Sequence, residues 1–163
     1  MSKKPLVSVI TVTYNAKSYL EQTMQSVFAQ TYPHIEYIII DGTSTDGTLD
    51  IIKYHEKKIA FWVSEKDNGI YDAMNKGIRA ANGELIGIIN ASDYYEPDAI
   101  CEVVKAYLQH QDVGIFHGNI NMLNMDGSFF KHKTAAKDVN NLCDGFSLFH
   151  PTFFVTKTTY NQV

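Results

Sequence analysis

Ile35-Glu36-Tyr37-Ile38-Ile39-Ile40-Asp41-Gly42-Thr43-Ser44-Thr45-Asp46-Gly47-Thr48 sets an apolar run against a turn of small polar residues, with one carboxylate at the junction. A continuous apolar run of this kind is the pattern of a strand covered on both faces, as in a parallel sheet. The Gly, Ser and Thr that follow turn the chain tightly, and 48–55 reads as a short helix. Toward the N-terminus, Val7 to Thr13 alternates like a strand, and Ser18 with Glu21 forms a capping box. That box opens a helix with Leu20, Met24, Val27 and Phe28 on one face, which stops before Pro33.

Toward the C-terminus, 59–64 is a third strand, and 71–81 is a helix ended by Asn82-Gly83. Tyr71 and Met74 are expected in its core-facing stripe. Leu85 to Asn90 is the next apolar strand, and Pro97 opens a helix reaching about His110. Strands alternating with helices on short connections predict an α/β fold: a three-layer, Rossmann-like arrangement with a mostly parallel central sheet. Ligands should gather at the strands' carboxyl ends. After 113–122 the pattern changes: Asp126-Gly127 looks like a hairpin turn with 129–132 returning, and 146–155 is a further apolar run.

With 163 residues and 45% hydrophobic content, the chain suits a single domain, 1–163. A net charge of -4 leaves no broad basic surface for nucleic acid. Cys101 and Cys143 fit neither a disulfide framework nor a zinc spacing, and both read as buried thiols of a reducing, cytoplasmic compartment. Ser8, Thr11 and Thr13 interrupt the apolar start too often for a signal peptide. No stretch reaches the roughly 18 apolar residues of a membrane span. The chain ends at Tyr160-Asn161-Gln162-Val163 without a helix stop or a polar tail, which reads as an apparent truncation.

Three segments fall where strands end: Thr13-Tyr14-Asn15, residues 41–48, and Asn90 to Asp93. One crevice could hold them all. An acid in the place of Asp41 can accept a hydrogen bond from a base or ribose, or it can cap its own turn, and composition alone leaves both open. Neither G-x-G-x-x-G nor G-x-x-x-x-G-K-[ST] occurs, so phosphates must be handled otherwise. A divalent cation (Mn or Mg) held by carboxylate is the usual alternative, and Asp93 is placed for it.

Four blocks, Val7 to Asn15, residues 41–48, residues 64–77 and Gly83 to Asn90, resemble in order those of family 2 glycosyltransferases. The resemblance implies the nucleotide-diphosphosugar transferase fold, with residues 1–112 as the nucleotide-binding half and 113–163 as the start of the acceptor-side half. It also implies inverting transfer of a sugar from a nucleoside diphosphate, uridine diphosphate for choice, to a glycan or lipid-linked acceptor, as in cell-surface polysaccharide synthesis. Peripheral placement at the inner face of a membrane is left open.

Carried over, the family pattern puts Thr13, Tyr14 and Asn15 in the nucleotide pocket and gives Asp41 the base, with Asp46 assisting. Asp67 and Gly69 would approach the base or ribose, and Asn75 with Lys76 would face the donor's phosphates or support that loop. Lys76 can equally be a solvated helix lysine. Where the family shows an acid-rich turn, this chain reads Asn90-Ala91-Ser92-Asp93, keeping only the last acid. Ser92 would touch the donor and Asp93 the metal, whose affinity the missing acids would weaken.

His150-Pro151-Thr152-Phe153-Phe154 resembles a later block whose histidine lies near the donor or acceptor and could join the metal; the alternative is a packed histidine at a strand start. His117 reads as structural. The family's catalytic base belongs to a block expected after Val163, and Asp138 and Asp144 match no motif. The competing reading is a catalytically incomplete nucleotide-binding module, and a weaker third is a protein-binding scaffold.

Overall fold

The computed structural model describes residues 4–124, 126–135 and 149–162. Its centre is four parallel strands whose side chains alternate between two apolar layers. β1 (Val7–Thr13), β2 (Ile35–Asp41), β3 (Phe61–Ser64) and β4 (Leu85–Asn90) are joined by α1 (Lys17–Phe28), α2 (Thr48–Tyr54) and α3 (Ile70–Ala80). α4 (Ala99–Gln109), β5 (Ile115–Phe116), β6 (Ile120–Leu123), β7 (Phe129–Lys133), β8 (Phe154–Thr156) and α5 (Lys157–Tyr160) follow. The large sheet runs β3-β2-β1-β4-β8-β5, with β8 antiparallel to both β4 and β5.

Alternation assigns the layers. Val7, Val9, Tyr37, Ile39, Leu85 and Ile89 meet Leu20, Met24 and Val27 of α1, Ile52 of α2, and Ile100 and Val104 of α4. The intervening Ile10, Val12, Ile38, Ile40, Ile86 and Ile88 meet Ala73 and Met74 of α3. A strand with both faces covered must be apolar at successive positions, which is why β2 reads as a continuous run. α3 lies so close to the sheet that a Cβ on Gly77 would stand 2.4 Å from Ile10 Cγ2.

Several expected boundaries move. The third strand begins at Phe61 rather than residue 59, because Ile59 caps a 3-10 turn at Glu56–Lys58. Pro97 stays in the turn before α4, where its carbonyl accepts from Thr31 N–H at 2.9 Å, and the helix starts at Ala99. Tyr71 is not core: it is 78% exposed at the start of α3, whereas Met74 is buried. The last apolar run becomes a 3-10 turn, His150–Thr152, followed by β8; its beginning, 146–148, lies outside the described residues, as do Asp138, Cys143 and Asp144. The hairpin at Asp126-Gly127 forms between β6 and β7, with Gly127 at φ 81°. Among the described residues no helix is long and apolar enough to cross a membrane.

Candidate functional site

Parallel register levels the strand ends. Thr13 stands beside Asp41, Asp41 beside Ser64, and on the other side of β1 Val12 stands beside Asn90. The strand order reverses between β1 and β4, so the loops leaving them part and open a crevice at the carboxyl rim. That crevice is a cleft of about 410 Å³ whose wall includes Thr13, Tyr14, Asp67, Gly69, Asn90 and Ser92. A larger hollow of about 680 Å³ lies at the opposite end of the sheet, among Asn82, Glu84, Tyr107 and Lys157. It lies where the parallel strands begin, away from the rim where ligands of such sheets bind.

The cleft presents both a face and polar edges. Tyr14 is 67% exposed and Ile70, on the same wall, is 51% exposed, which leaves apolar surface for a flat ligand. Thr13 Oγ1 and Asn90 Oδ1 are buried and have no hydrogen-bond partner among the described residues. Buried polar atoms are ordinarily paired, so these two suit a ligand or ordered water. Asn90 carries no motif role in the sequence; its register opposite Val12 places it in the wall.

Asp41 is fully buried. One carboxylate oxygen accepts from Ser44 Oγ; the other accepts from Ser44 N–H at 2.9 Å and Ser64 Oγ at 2.6 Å. These three bonds hold the turn that leaves β2. The rest of residues 41–48 caps α1 from a distance. Ser44 Oγ accepts from Asn15 N–H at 2.8 Å, Asn15 Oδ1 from Thr45 N–H at 2.9 Å, and Thr48 Oγ1 from Ala16 N–H at 2.9 Å.

Asp46 Oδ2 accepts from Lys17 N–H at 3.0 Å, and Thr48 Oγ1 donates to Asp46 Oδ1 at 2.5 Å. Hydrogen bonds from Thr48 and from Lys17 N–H hold the Asp46 carboxyl below its ordinary range. The expected Ser18 to Glu21 box does not form, because α1 starts one residue before Ser18 and its first N–H groups are already taken. Glu21 instead meets His55 Nε2 at 2.9 and 3.0 Å. The polar turn therefore fixes the Tyr14-Asn15 bend, with Asn15 held at φ 48°.

At the start of α3, Asp67 Oδ1 accepts from Gly69 N–H at 3.0 Å, and Gly69 takes φ 106° to make the turn. Lys76 Nζ lies 2.9 Å from Glu65 Oε1 and 3.7 Å from Asp72 Oδ2, and donates to the Lys66 carbonyl at 2.8 Å. Its hydrogen bond to Glu65 raises the ammonium above its usual range. These contacts tie Lys76 to the loop before α3. Asn75 is exposed on the same helix and does not line the cleft.

At the end of β4, Ser92 lines the cleft, while Asp93 stands beside it, half-buried. Burial pushes the Asp93 carboxyl up, and the nearby His150 and a hydrogen bond with Asn90 pull it back only in part. Among the described residues no three His, Cys, Asp or Glu side chains could hold a cation together. Asp93, whose charge His150 and Asn90 both feel, and the unpartnered Asn90 Oδ1 are donors of the type a divalent cation takes.

The chain matches the model of glycosyl transferase family 2 over residues 8–160. It is 36% identical over 128 residues to the putative teichuronic acid biosynthesis glycosyltransferase TuaG of Bacillus subtilis, covering 77% of this chain and 50% of that protein. The chain spans half or less of the length of the curated relatives it matches first. Among solved structures, TarS of S. aureus in complex with UDP superposes with a TM-score of 0.76 at 22% identity, covering 96% of this chain and 48% of that one. The mannosyltransferase PcManGT of Pyrobaculum calidifontis, in complex with GDP-Man and Mn2+, gives 0.74 at 21% identity, covering 99% and 47%. At these identities the superpositions show a shared fold.

Proposed function

Because the chain belongs to glycosyl transferase family 2, we propose that its rim cleft takes a nucleotide-diphosphosugar, a UDP-sugar for choice. The protein passes that sugar, with inversion, to a glycan or lipid-linked acceptor, and a lipid-linked acceptor would place it at the inner face of a membrane. One observation carries the reading: the cleft lies where the strand order reverses and combines the exposed Tyr14 ring with the unpartnered Thr13 Oγ1 and Asn90 Oδ1. A teichuronic acid glycosyltransferase among the relatives and a UDP complex of the same fold support it.

In the proposed reaction an acceptor hydroxyl oxygen bonds the anomeric carbon as that carbon's bond to the diphosphate breaks, and the hydroxyl proton passes to a carboxylate base. We assign that base to no described residue. Tyr14 stacks the base of the donor, Thr13 and Ser92 offer hydroxyls to its ribose and phosphates, and Gly69 keeps the neighbouring turn free of side chain. Asp93, with Asn90 Oδ1 and His150, would hold a divalent cation. When bound, that cation neutralises the departing diphosphate.

Isothermal titration with UDP, with and without manganese, tests the donor site. Saturable binding strengthened by manganese supports it, and absence of binding under both conditions removes it. A second reading, a module that binds nucleotide without turnover, is favoured by Asn90 and Ser92 standing where the family shows acids. Release of sugar from candidate UDP-sugars, measured on the gene product that carries this chain, separates the two.

A further inference from the structure

The β6–β7 ribbon is a two-stranded sheet of its own beside the six-stranded one. Its register shifts between Met122 and Leu123. Met122 pairs with Lys131 but Leu123 with Phe129, so Phe130 is the extra residue of a bulge. Two consecutive phenylalanines therefore stand against one leucine, close to the hairpin turn. Phe129 is 63% and Phe130 60% exposed, and Leu123 is exposed as well. One phenylalanine on a surface is ordinary; three large apolar side chains gathered at one tip form a patch that calls for an occupant.

Positive charge borders the patch. Lys131 and Lys133 follow the phenylalanines on β7, and among the described residues neither ammonium is paired with a carboxylate. Lys133 Nζ lies 5.8 Å from the centre of the Phe149 ring, a contact that leaves its charge in place. The ribbon's one acid, Asp126, accepts from Ser128 N–H at 2.9 Å and Ser128 Oγ at 2.6 Å. The ribbon is thus locally positive in a chain whose net charge is -4.

Its place in the fold matters too. β4 and β5 are both antiparallel to β8, so β5 runs with the parallel strands and leads the chain toward their carboxyl rim. Asn121 Nδ2 donates to Glu96 Oε1 at 3.4 Å, which ties the ribbon to the loop after Asp93. The apolar tip and the cleft therefore belong to the same end of the molecule.

We propose that this ribbon docks the protein on an anionic lipid bilayer, with Leu123, Phe129 and Phe130 entering the headgroup boundary and Lys131 and Lys133 meeting lipid phosphates. Its purpose rests on the proposed transfer to a lipid-linked acceptor; the binding itself does not. Apolar side chains beside lysines are the chemistry of interfacial anchoring, in which the two signals add. Phenylalanine suits a bilayer better than a glycan, because its ring has no polar edge to pair with hydroxyls, unlike the Tyr14 ring of the cleft. Docked in this way, the rim faces the surface in which a lipid-linked acceptor is held.

The test is co-sedimentation of the 163-residue chain with vesicles of phosphatidylcholine alone, or of phosphatidylcholine and phosphatidylglycerol in equal parts. Wild type is expected to bind the mixed vesicles about tenfold or more tighter, and less so as salt is added. Lys131→Gln with Lys133→Gln should weaken that binding about twenty-fivefold, roughly fivefold per lysine. Phe129→Ser with Phe130→Ser should weaken it about tenfold or more at unchanged charge, with the thermal midpoint near that of wild type. Phe130→Trp gives a reading that needs no loss of binding: bromine on the lipid acyl chains should quench the new tryptophan. Wild type, whose one tryptophan is Trp62 on the far edge strand β3, should show no quenching.

No binding to either vesicle, equal binding to both, or an unquenched tryptophan at 130 overturns the inference. Binding lost with the lysines but untouched by the phenylalanines overturns it in favour of an anion site. A dimer that the phenylalanine variant dissolves overturns it in favour of a second copy of the chain. Vesicle binding absent while UDP still binds removes the membrane surface alone; UDP binding absent while vesicles still bind removes the donor reading alone.

Discussion

Replacing Asp41 by alanine should unfold the protein far more readily than it alters what the cleft recognises. The carboxylate is the acceptor for three donors, Ser44 N–H, Ser44 Oγ and Ser64 Oγ, and Ser44 is itself only 6% exposed. Each buried donor stripped of its acceptor costs about 1–3 kcal/mol. Ser64 is half-buried and can recover part of its loss from water, so the sum comes to about 3–5 kcal/mol. That is a large part of the ~5–15 kcal/mol that ordinarily holds a domain together.

Asparagine keeps one acceptor oxygen and should cost about 1–2 kcal/mol on the same basis. Urea unfolding read at constant slope gives both values as shifts in midpoint. Because Ser44 also holds Asn15 N–H at 2.8 Å, some loss of UDP affinity should accompany Asp41→Ala, but as a consequence of the loosened Tyr14 bend. A variant destabilised by less than about 1 kcal/mol that had lost UDP binding altogether would refute the reasoning, since Asp41 would then be touching the ligand.

Tyr14→Ala should raise the dissociation constant for UDP about ten- to hundredfold, the worth of roughly 1–3 kcal/mol of base stacking, with little change in unfolding midpoint; calorimetric titration checks it. Gly77→Ala drives a Cβ to 2.4 Å from Ile10 Cγ2. Overpacking of about 1–3 kcal/mol should outweigh the helix propensity regained, leaving a net loss of stability in urea. Asp93→Asn should stabilise the free protein at neutral pH while abolishing the manganese-dependent gain in UDP affinity. Burial raises the folded carboxyl above its unfolded value, so the ionised form is penalised at neutral pH and the penalty fades as pH falls through the raised value. The stability advantage of the asparagine should fade over the same interval. In wild type, the manganese effect should be lost there too, at a higher pH than an ordinary carboxylate would give.

Most of the architecture was legible because burial on both faces leaves a signature in the strand itself. Residues 37–40 are apolar at every position, and the sheet pairs β2 on both edges and covers both faces. The start of α1 was not legible. Ser18 and Glu21 carry a local capping pattern, yet the N–H groups there are taken by Asp46 and Thr48, about thirty residues downstream, a pairing visible only once β1 and β2 are side by side.

The surroundings of the charged groups are also set by the fold. Asp41 stands at a strand end, and the donors to its two oxygens, Ser44 three residues on and Ser64 on β3, are seen only in the fold. The carboxylates around the Lys76 ammonium, Glu65 and Asp72, are likewise placed there by the fold of the loop before α3. Tyr71 follows the helical stripe by spacing, but it sits in the first turn of α3, at the rim rather than over the sheet.

The most direct measurement is a titration of the isotopically labelled chain with UDP, followed through backbone amide chemical shifts. Perturbations centred on Thr13, Tyr14, Asp67, Gly69 and Ser92, saturating at one equivalent, are the expected result. Perturbations centred instead on Asn82, Glu84, Tyr107 and Lys157, around the hollow at the opposite end of the sheet, would contradict the placement of the donor site at the rim where the strand order reverses.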